Sequence, residues 1–160
     1  MNKILVSVFF IGFLPFAPGT FGSLAGLILG LLLQVSGGFP LFITSTLLIF
    51  LIGWYSSINY ILTKKNQHDP QEIVIDEVVG QLLSCTPISF YIWVSNSESV
   101  YSTFYNWLIA FILFRAFDIF KPWPVNWADK INSGLGVMLD DIVAGVYSAL
   151  LLCAIILLIK

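Results

Sequence analysis

Residues 41–62 read LFITSTLLIFLIGWYSSINYIL, an uncharged run long enough to cross about 30 Å of hydrocarbon as a helix. The same character returns on both sides of it. Residues 104–120 (FYNWLIAFILFRAFDIF) form a second run that carries only Arg115 and Asp118 as charges. Residues 137–159 (VMLDDIVAGVYSALLLCAIILLI) form a third, with Asp140 and Asp141 at its start. Residues 77–94 (EVVGQLLSCTPISFYIWV) form a fourth, opened by Asp76 and Glu77, with Pro87 expected to kink it. Toward the N-terminus, PFAPGTFGS at 15–23 breaks an apolar stretch that resumes as LAGLILGLLLQV at 24–35.

The composition agrees with these runs. The chain has 160 residues, of which 58% are hydrophobic and 10% charged, against about 25% charged in an ordinary soluble domain. Too few charged groups exist to cover the surface of a water-soluble globule this short. Disorder is excluded because apolar surface is plentiful and net charge is only -2. That charge offers no basic footprint for nucleic acid. The expected fold is therefore all-α: one compact polytopic membrane bundle over residues 1–160, with about five apolar helical segments and a broken N-terminal segment.

Residues 4–14 are too few to cross a bilayer alone and are expected to form a short interfacial or re-entrant helix, retained rather than removed as a signal peptide. Cys85 and Cys153 lie in apolar runs outside any CxxC pair, so both are expected as buried small hydrophobes without a disulfide. Trp54, Trp93, Trp107, Trp123 and Trp127 suit either interfacial belts or core packing.

Orientation follows from lysine and arginine. Segments 64–76 and 115–130 hold Lys64, Lys65, Arg115, Lys121 and Lys130, whereas the loops at 36–40 and 95–103 hold none. The basic segments are expected to face the cytoplasm. Alternate counting of spans then brings PGTFGS, the Asp76–Glu77 pair, RAFDIFKPWP and the Asp140–Asp141 pair to that same face.

Six carboxylates lie in or beside apolar helices or their joining loop: Asp76, Glu77, Asp118, Asp129, Asp140 and Asp141. An ionised carboxylate in hydrocarbon costs several kcal/mol, so each needs a reason to be there. Helix capping accounts for either adjacent pair taken alone. Two pairs together with Asp118 instead suit a hard divalent cation such as Mg2+ or Mn2+, since carboxylates repel unless a cation separates them. His68 is the single histidine, which excludes a multi-histidine zinc site, and it is expected on a solvated loop.

Arg115, Asp118 and Lys121 form one helical stripe at i, i+3, i+6, stopped by Pro122 and Pro124. The stripe suits a phosphate beside a metal, and equally a self-neutralising ion pair with a snorkelling lysine. In PGTFGS, Gly19, Thr20, Gly22 and Ser23 precede an apolar helix, as in an anion cradle or an ordinary cap and turn. The GxG at Gly134–Gly136 is a weaker form of the same signal. The chain lacks a DxDx(T/V) signature, a Cys-x5-Arg loop, the several histidines of a type-2 phosphatidic acid phosphatase, and the DGxxAR pattern of CDP-alcohol phosphotransferases.

The set PGTFGS (18–23), HDPQEIVIDEVVG (68–80), FRAFDIFKPWPVNWAD (114–129) and GLGVMLDDIVAG (134–145) closely resembles the phosphatidylglycerophosphatase A family along nearly the whole chain. The chain departs from it at Ser133-Gly134, where a Gly-Gly is common. The resemblance implies Mg2+-dependent hydrolysis of phosphatidylglycerophosphate to phosphatidylglycerol and phosphate, in glycerophospholipid synthesis at the bacterial inner membrane. It also implies a phospholipid substrate among membrane lipids. Its acidic positions fall on Asp76, Glu77, Asp118, Asp140 and Asp141, the expected metal-binding and catalytic set. Its basic positions fall on Arg115 and Lys121, expected on the substrate phosphate with Thr20 and Ser23. A small ion-coupled transporter would also bury acids, but would string them through the membrane depth. A non-catalytic membrane partner is the remaining alternative.

Overall fold

The computed structural model describes residues 2–63, 70–95, 103–131 and 135–159. The expectations for Lys64, Lys65, His68, Ser133 and Gly134 lie outside the described residues. Those described form helices α1 (Asn2–Val6), α2 (Pro18–Thr63), α3 (Ile75–Ser95), α4 (Phe104–Phe120), α5 (Val125–Asp129) and α6 (Gly136–Ile159), with a 3-10 turn at Ile11–Phe13 and no strand among them.

Helix α2 is a hairpin folded at Gly38. There φ is 64° and ψ is -159°, a backbone region that glycine alone enters without strain. Pro40 follows and can donate no helical hydrogen bond. The two legs return to one level: Gly22 packs on Val74 and Gly53 on the adjacent Ile75. The expected chain break at 36–40 is therefore a bend inside one element.

Three helices among the described residues are long and apolar enough to cross a membrane: α2, α3 and α6. The all-helical membrane class stands, and the count of about five becomes three. Segments 24–35 and 41–62 run on through the Gly38 bend as one element, and α4 has only 17 residues. Helix α3 continues through Pro87 as a single element. At the N-terminus α1 has five residues, followed by left-handed backbone at Val8, Phe9 and Phe10. The Val74 N–H donates to the Val6 carbonyl at 2.9 Å, which ties this segment to the start of α3.

Lipid tails are as apolar as leucine, so the helices associate through close packing and hydrogen bonds rather than through escape from water. Gly22, Gly26 and Gly30 open one face of the first α2 leg to Val74, Val78 and Leu82. Phe42 and Trp107 meet edge to face at 6.3 Å in the core beneath them. The Ser84 hydroxyl donates to the Ala110 carbonyl of α4 at 2.9 Å, and the Ser89 hydroxyl to Gln34 of α2. Trp107 is fully buried and so belongs to the core, whereas Trp93, Trp123 and Trp127 are exposed. Cys85 is buried but Cys153 is exposed, against expectation. An apolar side chain on a membrane helix is stable facing hydrocarbon, so its polarity does not predict burial.

Residues 24–63, 78–95, 104–114 and 142–159 carry no charged side chain. The charged groups of α3, α4 and α6 therefore gather at one end of the bundle.

Candidate active site

Helix α3 opens with Asp76 and Glu77 in its first turn. The Asp76 carboxylate accepts the Glu77 N–H at 3.0 Å, so the capping expectation holds in part there. Asp140 and Asp141 lie beyond the first turn of α6, which begins at Gly136 and has no acid in that turn. They stand outside the turn that a cap serves, and their burial needs another reason.

What brings the two acidic pairs together is a close crossing of α3 and α6. A Cβ on Gly80 would lie 2.7 Å from the Asp141 carbonyl oxygen, and one on Gly145 2.5 Å from the Gly80 carbonyl oxygen. Only hydrogen fits at either position. Asp76, Glu77 and Asp141 consequently each offer a carboxylate oxygen within 4.8 Å of the others. Asp76 and Asp141 are 5% and 4% exposed, too little for bulk water to screen their repulsion.

Helix α4 brings the cations. Arg115 pairs with Asp118 one turn on, and its Nη1 donates to the Ser23 hydroxyl at 3.3 Å. Lys121 ends the helix in left-handed backbone (φ 43°, ψ 56°), its N–H returning to the Phe117 carbonyl. From there its Nζ pairs with Asp129 of α5 and, at 2.9 Å, with Asp140 of α6. Partial burial alone would lower the Lys121 pKa. The hydrogen bonds and charges of Asp129 and Asp140 outweigh it and hold the ammonium above its ordinary value, so it stays a cation at any physiological pH.

All seven charged residues expected at the site, Asp76, Glu77, Arg115, Asp118, Lys121, Asp140 and Asp141, line one cavity of about 450 Å³. The acids divide into two sets. Asp118 and Asp140 are ion-paired, whereas Asp76, Glu77 and Asp141 form the close cluster. Glu77 Oε2, Asp141 Oδ1 and Arg115 Nε are buried without a hydrogen-bond partner among the described residues. Unpaired buried carboxylate oxygens are costly, and a hard divalent cation satisfies them with the ligand type it prefers. The cluster therefore fits a metal ion, with Asp76, Glu77 and Asp141 as its holders.

Thr20 and Ser23 do not line this cavity. Ser23 is fully buried, donating to the Gly19 carbonyl and accepting from Arg115, so it stands behind the arginine. The position that matters in PGTFGS is Gly19, which lines the cavity: a Cβ there would strike Glu77 Oε1 and lie 3.4 Å from Arg115 Nη1. Sequence reading left Gly19 in either an anion cradle or an ordinary cap and turn, and missed this steric role. Gln71 and Ile73 also line the cavity. Their only sequence signal was membership of the stretch leading into Asp76.

Comparison with known proteins follows the same residues. The family profile for phosphatidylglycerophosphatase A matches residues 4–156. A Haemophilus influenzae protein named phosphatidylglycerophosphatase A is 38% identical over 141 residues, covering 87% of this chain and 78% of the relative. A Bacteroides thetaiotaomicron protein named putative phosphatidylinositol-3-phosphatase is 33% identical over 146 residues, covering 88% and 84%. An Escherichia coli phosphatidylglycerophosphatase A is 34% identical over 142 residues, covering 86% and 73%. No solved structure matches the chain at a significant level.

Proposed function

We propose, because the chain belongs to the phosphatidylglycerophosphatase A family, that it hydrolyses phosphatidylglycerophosphate to phosphatidylglycerol and phosphate with Mg2+ as cofactor. Family membership makes the chain a phosphoric monoester hydrolase of membrane-helix character. The observation that carries the finer reading is the one cavity in which five carboxylates face two cations at the charged end of the bundle. That arrangement suits a phosphate bound beside a divalent metal.

Asp76, Glu77 and Asp141 would hold the metal, which when bound supplies Lewis-acid polarisation of a phosphoryl oxygen and acidifies water. The other residues act on the phosphate itself. Arg115, aimed by Asp118 and Ser23, donates to its oxygens and offsets the charge that develops on them. Lys121, set between Asp129 and Asp140, adds a second cation at the rim. Water oxygen bonds to phosphorus, the phosphorus–oxygen bond to the glycerol breaks, and the water proton ends on the departing glycerol oxygen. Single turnover in 18O-water tests this order of bonds, since label found in a protein carboxylate would require an aspartyl-phosphate step instead.

The charge-free helical stretches support a cavity at a membrane boundary, within reach of a lipid headgroup. Arg115, Lys121 and Lys130 at that end support a cytoplasmic-facing site in the bacterial inner membrane. A transporter reading loses force because no charge continues into the described membrane segments.

The deciding assay is phosphate release from phosphatidylglycerophosphate by purified protein in detergent, with phosphatidylinositol 3-phosphate as a second substrate. We expect release from the first lipid, faster than from the second, abolished by EDTA and restored by Mg2+. Release from the inositol lipid alone would transfer the chain to the activity named for the Bacteroides relative. In the same assay Gly19→Ala should lower kcat/KM about 100-fold, because displacing the Glu77 carboxylate from its place beside Arg115 spoils an aligned site. Thermal unfolding measured beside it should change little, since Gly19 is not in the core.

A further inference from the structure

An apolar groove of about 400 Å³ runs between the second leg of α2, α3 and α6, lined among others by Ile43, Thr44, Leu47, Val79, Leu83 and Ile142. Its two threonines offer no polar handle. The Thr44 hydroxyl donates to the Pro40 and Leu41 carbonyls, and the Thr46 hydroxyl to the Phe42 carbonyl, so both hydroxyl protons are spent on the helix's own backbone. An occupant can therefore be held only as hydrocarbon. The groove lies deeper along α3 and α6 than the carboxylate cavity, and the two share no lining residue. Val79 and Leu83 follow Asp76 at i+3 and i+7 on one face of α3, about 4.5 Å and about 10.5 Å deeper along the helix. Ile142 follows Asp141 directly on α6. A phosphate seated among the carboxylates puts the glycerol at the depth of Val79 and the first acyl carbons at the depth of Leu83.

We propose that this groove receives one acyl chain of the lipid whose phosphate is hydrolysed, and so selects long-chain over short-chain forms of that lipid. The inference rests on the function proposed above and names the part of the substrate that this second site takes. In a bilayer the chain gains little hydrophobic energy by entering, because it leaves hydrocarbon for hydrocarbon. The gain is in orientation: a seated chain fixes the phosphate over the carboxylates.

The test compares kcat/KM for dioleoyl and dibutyryl phosphatidylglycerophosphate in mixed micelles. Thr44→Trp and Leu47→Trp fill the groove from its exposed lip, and Leu48→Trp adds the same bulk to a neighbouring exposed position outside the groove. The dioleoyl-to-dibutyryl ratio is expected to fall about tenfold in the first two variants and to keep the unsubstituted value in the third. The same fall in all three, or in none while both lipids are hydrolysed, overturns the groove's role and leaves the hydrolase intact. Hydrolysis of neither lipid by the unsubstituted enzyme removes the proposed function, and the groove's role with it. A second measurement needs no variant. With EDTA present, substrate bearing a mid-chain diazirine should label residues 43–50 in preference to phosphatidylcholine bearing the same group. Equal labelling by both lipids would mean that the groove holds bulk bilayer lipid, and would overturn the proposal.

Discussion

Asp141→Asn is expected to lower phosphate release about 1000-fold, the scale on which removal of one preorganised electrostatic group acts. The carboxylate is 4% exposed, stands within reach of Asp76 and Glu77, and keeps Oδ1 without a hydrogen-bond partner among the described residues. Asparagine keeps the shape and removes the charge. Without Mg2+ the variant should unfold at a temperature equal to or above that of the unsubstituted protein, because one member of a mutually repelling buried trio has gone. With Mg2+ the order should reverse: a ligand that binds only the folded state raises Tm with the logarithm of its concentration over Kd, and the variant has lost one holder. Phosphate release and thermal unfolding, each with Mg2+ and with EDTA, check both halves. Near-normal turnover in the variant would remove the carboxylate cluster from the chemistry.

Gly80→Ala is the second large effect. Its methyl group would lie 2.5 Å from Phe114 Cε2 and 2.7 Å from the Asp141 carbonyl oxygen. The phenyl ring can rotate away; the α6 backbone can only retreat. Retreat carries Asp141 away from Asp76 and Glu77, and a displacement of about 1 Å in an aligned site costs about 100-fold in rate. Overpacking at the crossing should also cost about 1–3 kcal/mol of stability. Gly145→Ala opens the same crossing from the other side, against the Gly80 carbonyl. Once either methyl has separated the helices the second meets less resistance, so the double variant should lose less than the two single losses combined. Kinetics of the two single variants and the double variant measure this coupling. Full additivity would mean that the glycines act on separate contacts.

The membrane class was legible because hydropathy is local. A run such as 41–62 states its own environment without knowledge of its neighbours. The charged residues of the site were legible for a related reason: a carboxylate at the end of an apolar helix is expensive enough to be conspicuous wherever the chain folds. The mutual contact of Gly80 and Gly145 was not legible, since two segments far apart in sequence carry no record of which faces which. The bend at Gly38 was read as a loop because Gly-Gly-Phe-Pro looks alike in a connection and in a folded helix.

Residue identity by itself determined that this chain enters a membrane and that the charges of its apolar helices stand toward helix ends, because transfer energies belong to side chains one at a time. Tertiary structure alone decided how those charges are shared. Five acids were equal candidates for a metal, and the fold pairs Asp118 with Arg115 and Asp140 with Lys121, leaving Asp76, Glu77 and Asp141 together. It likewise put Ser23 behind Arg115 and Gly19 against Glu77. An electrostatic partner is set by distance, and the distances between α2, α3, α4 and α6 arise only when glycines that are far apart in the chain let those helices close on one another.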